Sequence, residues 1–426
     1  MTLHRKFKNM TTKAIFAFLI LLTLGITCKA QNPVWINFTT SNSDLPDNTV
    51  SAIAIDNNGD AWIGTSGGLA KFDGTNFTLF NTDNSDLPHN SIMSVAVDSY
   101  NNKWIGTYQG LAKFDGINWT VYNTDNSDLP HNHISAIAID NSGNPWIGTY
   151  ESGLAKFDGN EWTIFNTENS ALQSNNIYAI AIDNYGNKLI GTMFELLKYD
   201  NENWTSIYSD ENPVHQWHVY ETTVDMNDNI WFTFNSAGFF TGKLLKYNTS
   251  GEITFYNSTN SDLPGVELTS IQIDANNTKW IGTFDGGIAT FDDSNWTVYN
   301  TENSGLINNK ICFVAIDQQN NKWIGTLGGL SVFNEAGVQL STEPYYSQQS
   351  NMVVYPNPAH DCAYIQNNSN SPVASIKLFD TKGQLIRSFP ANSNVLHIAG
   401  IKQGAYMLHI QTQTEVCICK IFKISY

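Results

Sequence analysis

From residue 50 onward, apolar and polar positions alternate in short runs that each stop at an aspartate, the first being Val50-Ser51-Ala52-Ile53-Ala54-Ile55-Asp56. A turn such as Asn57-Asn58-Gly59 follows, and then the run Trp62-Ile63-Gly64-Thr65. Period-two apolarity bounded by Asn and Gly predicts a strand, a tight turn and a second strand. Next come Gly-Leu, an apolar stretch ending Phe72-Asp73-Gly74, and an aromatic run of the type Trp119-Thr120-Val121-Tyr122. Each unit therefore supplies four short strands.

The unit returns about every 42 residues. Trp62-Ile63-Gly64-Thr65 recurs at Trp104, at Trp146, as Leu189-Ile190-Gly191-Thr192, as Trp231-Phe232-Thr233-Phe234, at Trp280 and at Trp323, which makes seven copies. A four-stranded unit at this period is one blade of a propeller, so the expected class is all-β, a seven-bladed β-propeller. The aromatic fourth strand also occurs seven times, but its first copy, Trp35-Ile36-Asn37-Phe38, precedes every other blade strand, and the last unit, ending near Asn334, has none of its own. The N-terminal strand is expected to complete the last blade, which removes an exposed sheet edge. The regular tryptophans then belong to the core between blades and form no binding stripe. Turns such as Asp56-Asn57-Asn58-Gly59-Asp60 invite calcium, yet they lack a distal bidentate Glu and recur in every blade, so turn chemistry accounts for them.

The two ends differ from the repeats. Arg5, Lys6, Lys8 and Lys13 precede an apolar run over residues 14–26, followed by Cys28-Lys29-Ala30. This reads as a signal peptide cleaved between Ala30 and Gln31; Gly25-Ile26-Thr27 is a poor match to the lipoprotein alternative, in which Cys28 would become the N-terminus. No later stretch is long and apolar enough for a membrane helix. Past a low-complexity linker at 341–351 the chain turns basic, and alternating strands with short turns over residues 352–426 predict a small immunoglobulin-like β-sandwich. The domain plan is thus a signal at 1–30, a propeller at 31–340, the linker, and this tail.

Net charge is −17. The signal carries +5 and residues 352–426 carry +3, which leaves −25 on residues 31–351 and makes nucleic acid an unlikely partner. Beyond Cys28, four cysteines remain, Cys312, Cys362, Cys417 and Cys419. They form no disulfide scaffold and no zinc pair; a bridge from Cys362 to Cys417 or Cys419 and free buried thiols both stay open.

The block Asn-x-Ile-x-x-Ile-x-x-Asp-x-x-Gly-x-x-Trp-Ile-Gly-Thr-x-x-Gly-Leu-x-x-Phe-Asp-Gly-x-x-Trp-Thr closely resembles the two-component-regulator propeller repeat, over roughly residues 34–334. In that family such propellers usually form periplasmic sensor halves of histidine kinases, many responding to polysaccharide fragments. No kinase or second membrane segment accompanies it here, so ligand recognition is the property the resemblance implies. The tail, with Tyr355-Pro356-Asn357-Pro358, an Asp-x-x-Gly hairpin and the Gly404/Tyr406 strand, resembles the C-terminal sorting domain of type IX secretion cargo. That implies passage through the type IX machinery and a secreted or outer-membrane-surface location.

Loops between blades and loops joining a blade's second and third strands open on one face. Just before the first strand the units read Thr49, Ser91, His133, Asn176, His218, Glu267 and Lys310, and one position earlier a repeated Asn gives way to Trp217 and Val266. That Asn reads as a cap for local backbone. After the Gly-Thr pair stand Ser66, Tyr108, Tyr150, Met193, Asn235, Phe284 and Leu327. Tyr108, Tyr150 and Phe284 could stack on sugar rings, and with His133, Trp217, His218, Glu267 and Lys310 they make the candidate ligand-binding set. No catalytic signature, cofactor or metal motif is found. The first reading is an exported binding module for a polysaccharide or surface protein. The alternatives are a metal-assisted lyase acting on a lactone or uronate through His133, His218 and Glu267, and an architectural role.

Overall fold

The computed structural model describes residues 34–209, 217–236, 241–264, 267–340, 352–355, 359–367, 372–380, 385–391, 393–412 and 416–423. The Ala30/Gln31 cleavage site, the linker at 341–351 and Pro356, Asn357 and Pro358 lie outside the described residues. Every regular element among the described residues is a strand.

Residues 34–334 form seven four-stranded antiparallel sheets. Blade 1 runs Val50–Ile55, Ala61–Thr65, Gly68–Phe72 and Phe77–Phe80, from inner to outer strand. The inner strands of blades 2 to 7 are Ile92–Val97, Ile134–Ile139, Ile177–Ile182, Trp217–Val224, Leu268–Ile273 and Ile311–Ile316. Each lies beside the next, and Val50–Ile55 lies beside Ile311–Ile316, so the ring is closed. The strand Trp35–Phe38 supplies the outer edge of blade 7, pairing antiparallel with Gly329–Phe333 in the register Trp35↔Phe333 to Phe38↔Leu330. Asn37 donates to the Gly305 carbonyl at 2.9 Å and accepts from the Ser331 hydroxyl at 2.6 Å, and the Trp35 ring lies 4.5 Å from that of Phe333.

The second strand of each blade is packed on both faces by neighbouring sheets, and Ala61–Thr65 is buried at every position. Its tryptophan is the main filling between blades: Trp62, Trp104, Trp146, Trp231, Trp280 and Trp323 are each no more than 2% exposed. Each indole N–H donates to the aspartate that ends its inner strand, as Trp62 does to Asp56 at 3.0 Å. The other oxygen of Asp56 accepts the Asn58 and Asp60 amides, so the turn aspartate is occupied by its own turn and its own tryptophan. Gly64 is fixed by crowding, since a Cβ there would stand 2.6 Å from Cγ2 of Ile92 in the next blade.

All seven inner strands carry a register shift at their entrance, as between Val50 and Ala52. One residue per blade is thereby left out of the ladder, the hallmark of a β-bulge. Those residues are Ser51, Met93, Ser135, Tyr178, Tyr220, Thr269 and Cys312.

The tail is described by itself. A three-stranded sheet of Met352–Tyr355, Cys362–Asn367 and Val395–His397 shares one apolar core with a four-stranded sheet ordered Leu385–Phe389, Val373–Asp380, Gly404–Thr412 and Val416–Lys423. Ile376, Leu378, Leu396, Leu408 and Ile410 are its centre. The Tyr406 hydroxyl donates to the Lys402 carbonyl at 2.8 Å, anchoring the Gly404/Tyr406 strand. Cys312 and Cys362 are free thiols, while the side chains of Cys417 and Cys419 lie outside the described residues.

Candidate functional site

The two variable rows singled out in the sequence are backbone neighbours. Tyr150 donates its amide to the His133 carbonyl at 3.1 Å, Phe284 to Glu267 at 3.0 Å, and Leu327 to Lys310 at 3.1 Å. They stand at the entrances of the inner strands, at one end of the ring, and form its rim. The repeated Asn just behind it is spent on structure: Asn48, Asn90, Asn132, Asn175 and Asn309 each accept a threonine amide of the preceding loop, as Asn132 does from Thr124 at 2.9 Å. Asn235 is also consumed, bonding both backbone groups of Leu268 in the next blade.

The rim residues fall into three groups. On blades 2 and 3, Tyr108 lies 4.5 Å from His133, and His133 stacks on Tyr150 at 5.3 Å, with His89 and His131 at the margins. Tyr108 and Tyr150 remain 45% and 40% exposed, which leaves ring faces open. Burial pushes the His133 imidazole below its usual range, and His131 adds to this, so His133 is uncharged at neutral pH.

On blades 4 and 5, His218 stacks on Tyr178 with centroids 4.7 Å apart and planes 13° from parallel; Tyr220 is 5.7 Å from Tyr178 and 5.8 Å from His218. His218 also bridges Met193 of blade 4, and both of its ring nitrogens are buried without a partner. Burial holds its imidazole below the ordinary value. Burial likewise pushes the Tyr178 hydroxyl up to about 12, with Tyr220 and Tyr150 contributing. The side chain of Trp217 lies outside the described residues; its backbone pairs with Ser236.

On blades 6 and 7, the Lys310 ammonium stands 5.2 Å over the Phe284 ring. Burial raises the Glu267 carboxyl and Asp285 raises it further. Glu267 in turn raises the Tyr220 hydroxyl, already raised by burial, which links the third group to the second.

Sequence reasoning missed Tyr178 and Tyr220, which occupy bulge positions, and Glu221, whose carboxyl burial pushes up to about 8. The available signal was the residue that follows Val50, Ile92, Ile134, Ile177, Val219, Leu268 and Ile311, where two tyrosines interrupt Ser, Met, Thr and Cys.

Two family models match the chain: a two component regulator propeller over residues 44–67 and a secretion system C-terminal sorting domain over residues 353–424. No curated protein sequence matches it. Among solved structures it is similar to PorZ, a surface component of the type IX secretion system of Porphyromonas gingivalis, at 19% identity and TM-score 0.57, covering 89% of this chain and 60% of that one. It is similar also to the extracellular domain of the hybrid two-component system BT3049 from B. thetaiotaomicron, at 18% identity and TM-score 0.61, covering 92% and 58%. The chain thus spans less than two thirds of either. Virginiamycin B lyase from Staphylococcus aureus matches at 13% identity and TM-score 0.55, covering 70% of this chain and 97% of that one. The chain thus carries a two component regulator propeller repeat at residues 44–67 and a secretion system C-terminal sorting domain at residues 353–424, which points to a secreted or cell-surface location.

Proposed function

We propose that the propeller is an exported recognition module that binds a polysaccharide or surface-protein ligand on its inner rim, after delivery through the sorting domain. The observation that carries the reading is the chain of ring contacts Tyr108, His133, Tyr150 along blades 2 and 3. The rings are partly exposed on a rigid scaffold, and exposed aromatic faces with few polar groups are what saccharide and peptide sites use. The uncharged imidazole keeps this wall free of positive charge.

The lyase alternative asks for a base and a metal donor set from His133, His218 and Glu267. Both His218 ring nitrogens are buried from solvent, and among the described residues no three His, Cys, Asp or Glu side chains gather to hold an ion. The binding reading therefore has the better geometric support.

The test is a screen of the exported chain against neutral, acidic and amino polysaccharides and oligosaccharides, and against surface proteins, scoring binding and product formation with and without divalent cations. Saturable binding without products, weakened about tenfold or more by Tyr108→Ala or Tyr150→Ala, is the expected result. Binding untouched by both substitutions would remove the rim from consideration, and metal-dependent unsaturated products would establish the lyase instead.

A further inference from the structure

We infer that the rim between blades 4 and 6, where Tyr178, His218 and Tyr220 form a wall of rings beside the Glu267 carboxylate, is a subsite for a sugar residue carrying a free, protonated amino group. The inference rests on the glycan form of the reading above and adds the charge of the ligand.

Three rings lie within 4.7–5.8 Å of one another, contributed by two adjacent blades. Tyr178 and Tyr220 are there because the bulge frees them from the ladder, and Tyr220 is 36% exposed. Glu267 stands at the entrance of the blade 6 inner strand, which packs beside the strand that carries Tyr220. Its backbone is held by Phe284, so the carboxylate is presented from a fixed point.

Apart from the Lys310 ammonium over Phe284, the charges here are one-sided. The wall offers electron-rich faces, an imidazole whose burial disfavours its charged form, and protonated phenols. Among the described residues, neither Glu267 nor its neighbour Asp285 has a lysine, arginine or histidine within ion-pair distance. Burial and mutual repulsion both penalise the Glu267 anion. An ammonium arriving against the rings and this carboxylate relieves that penalty and gains the quadrupole attraction of the ring faces. A uronate would meet the same carboxylates with like charge, within residues 31–351, which carry −25.

An ammonium can come from an amino sugar or from lysine. The ring walls favour the sugar: besides Tyr178, His218 and Tyr220, the rim of the neighbouring blades carries Tyr150, His133 and Tyr108. A row of ring faces suits successive pyranose rings, which present apolar faces in sequence, whereas a lysine needs one site only.

The experiment compares chitosan hexamer, its fully acetylated chitin counterpart and trilysine by calorimetry on the exported chain at low salt, under mildly acidic conditions that protonate the sugar amines. The acetylated hexamer has the same length and linkage but carries neutral acetamides where chitosan carries ammonium groups. Chitosan is expected to bind about tenfold or more tightly than chitin. Glu267→Gln should erase that preference while keeping chitin binding, and Tyr220→Leu should weaken both, with unchanged melting temperature verifying that each variant is folded. Equal affinity for the two hexamers, or a preference that survives Glu267→Gln, overturns the inference while leaving a glycan rim standing. Trilysine binding more tightly than chitosan transfers the site to a peptide and overturns it as well. If no hexamer and no neutral glycan binds at all, the glycan reading itself fails.

Discussion

Lys103 reaches back across the joint between blades 1 and 2, placing its ammonium 3.2 Å from Asp56 and 4.8 Å from the face of Trp62. Both partners of the ion pair are almost fully buried, with side chains 5% and 1% exposed. The same staple recurs where Lys322 meets Asp274 and the Trp280 ring, and Lys188 and Lys279 stand over Trp146 and Trp231. Blades 1, 3 and 5 carry Ala61, Pro145 and Ile230 at this position instead. Lys103→Met should leave a buried carboxylate without its counter-charge and cost about 3 kcal/mol. Chemical denaturation of the single variants and of the Lys103→Met/Asp56→Asn pair reads the coupling, and a cost near zero would mean that the pair is not a staple.

The turn aspartates set an acid limit. For Asp56, Asp140, Asp225 and Asp274 burial pushes the carboxyl up, yet the indole N–H and the turn amides together outweigh it and leave each below its ordinary value. A carboxyl depressed in the folded state stabilises fully above its unfolded value of about 3.9 and loses that contribution as pH falls through the folded value. The melting temperature should therefore hold down to about pH 4 and drop steeply below it. Asp→Asn substitutions at these turns should flatten that drop.

Glu221 has the opposite sign. Its carboxyl stays protonated up to about 8 when folded, whereas the unfolded chain releases that proton near 4.3. Stability should decline with rising pH between these limits, because the unfolded state binds fewer protons. Glu221→Gln should remove this decline, so that the variant's advantage in melting temperature grows toward pH 8. An advantage independent of pH would show that the carboxyl ionises normally.

Asn37 latches the ring through Gly305 and Ser331. Where the other blades pair Ala70 with Leu79 or Ala112 with Val121, the closing blade pairs Ser331 with Asn37. Asn37→Ala removes the acceptor of the Ser331 hydroxyl, which keeps only the Ile307 amide as a partner, and should cost about 1–3 kcal/mol. Removing the strand Trp35–Phe38 altogether should bare the Gly329–Phe333 edge and drive self-association, visible by light scattering. A monomeric, fully stable truncated chain would contradict this account of closure.

The ring was legible because its determinants are periodic. Trp62 and its counterparts, the terminal aspartates and the displaced strand at Trp35 repeat or fail to repeat in ways a single sequence displays. The rim was only half legible. His133, Glu267 and Lys310 stand out against a repeat, but Ile177-Tyr178-Ala179 reads as ordinary alternation, and nothing in it announces that a bulge ejects the tyrosine. Pairing across blades, as between His218 and Tyr178, depends on which side chains two sheets bring together, and spacing along one strand does not encode that.

The bulge also separates two kinds of constraint. Because Ser51, Met93, Ser135, Tyr178, Tyr220, Thr269 and Cys312 sit outside the ladder, each can be exchanged without costing a strand pairing. The protein thus holds seven positions whose exchange spares the ladder, although Ser51 and Ser135 bond the next blade and Tyr178 packs on Tyr220, so a new taste in ligands can arise there while the strand architecture is kept.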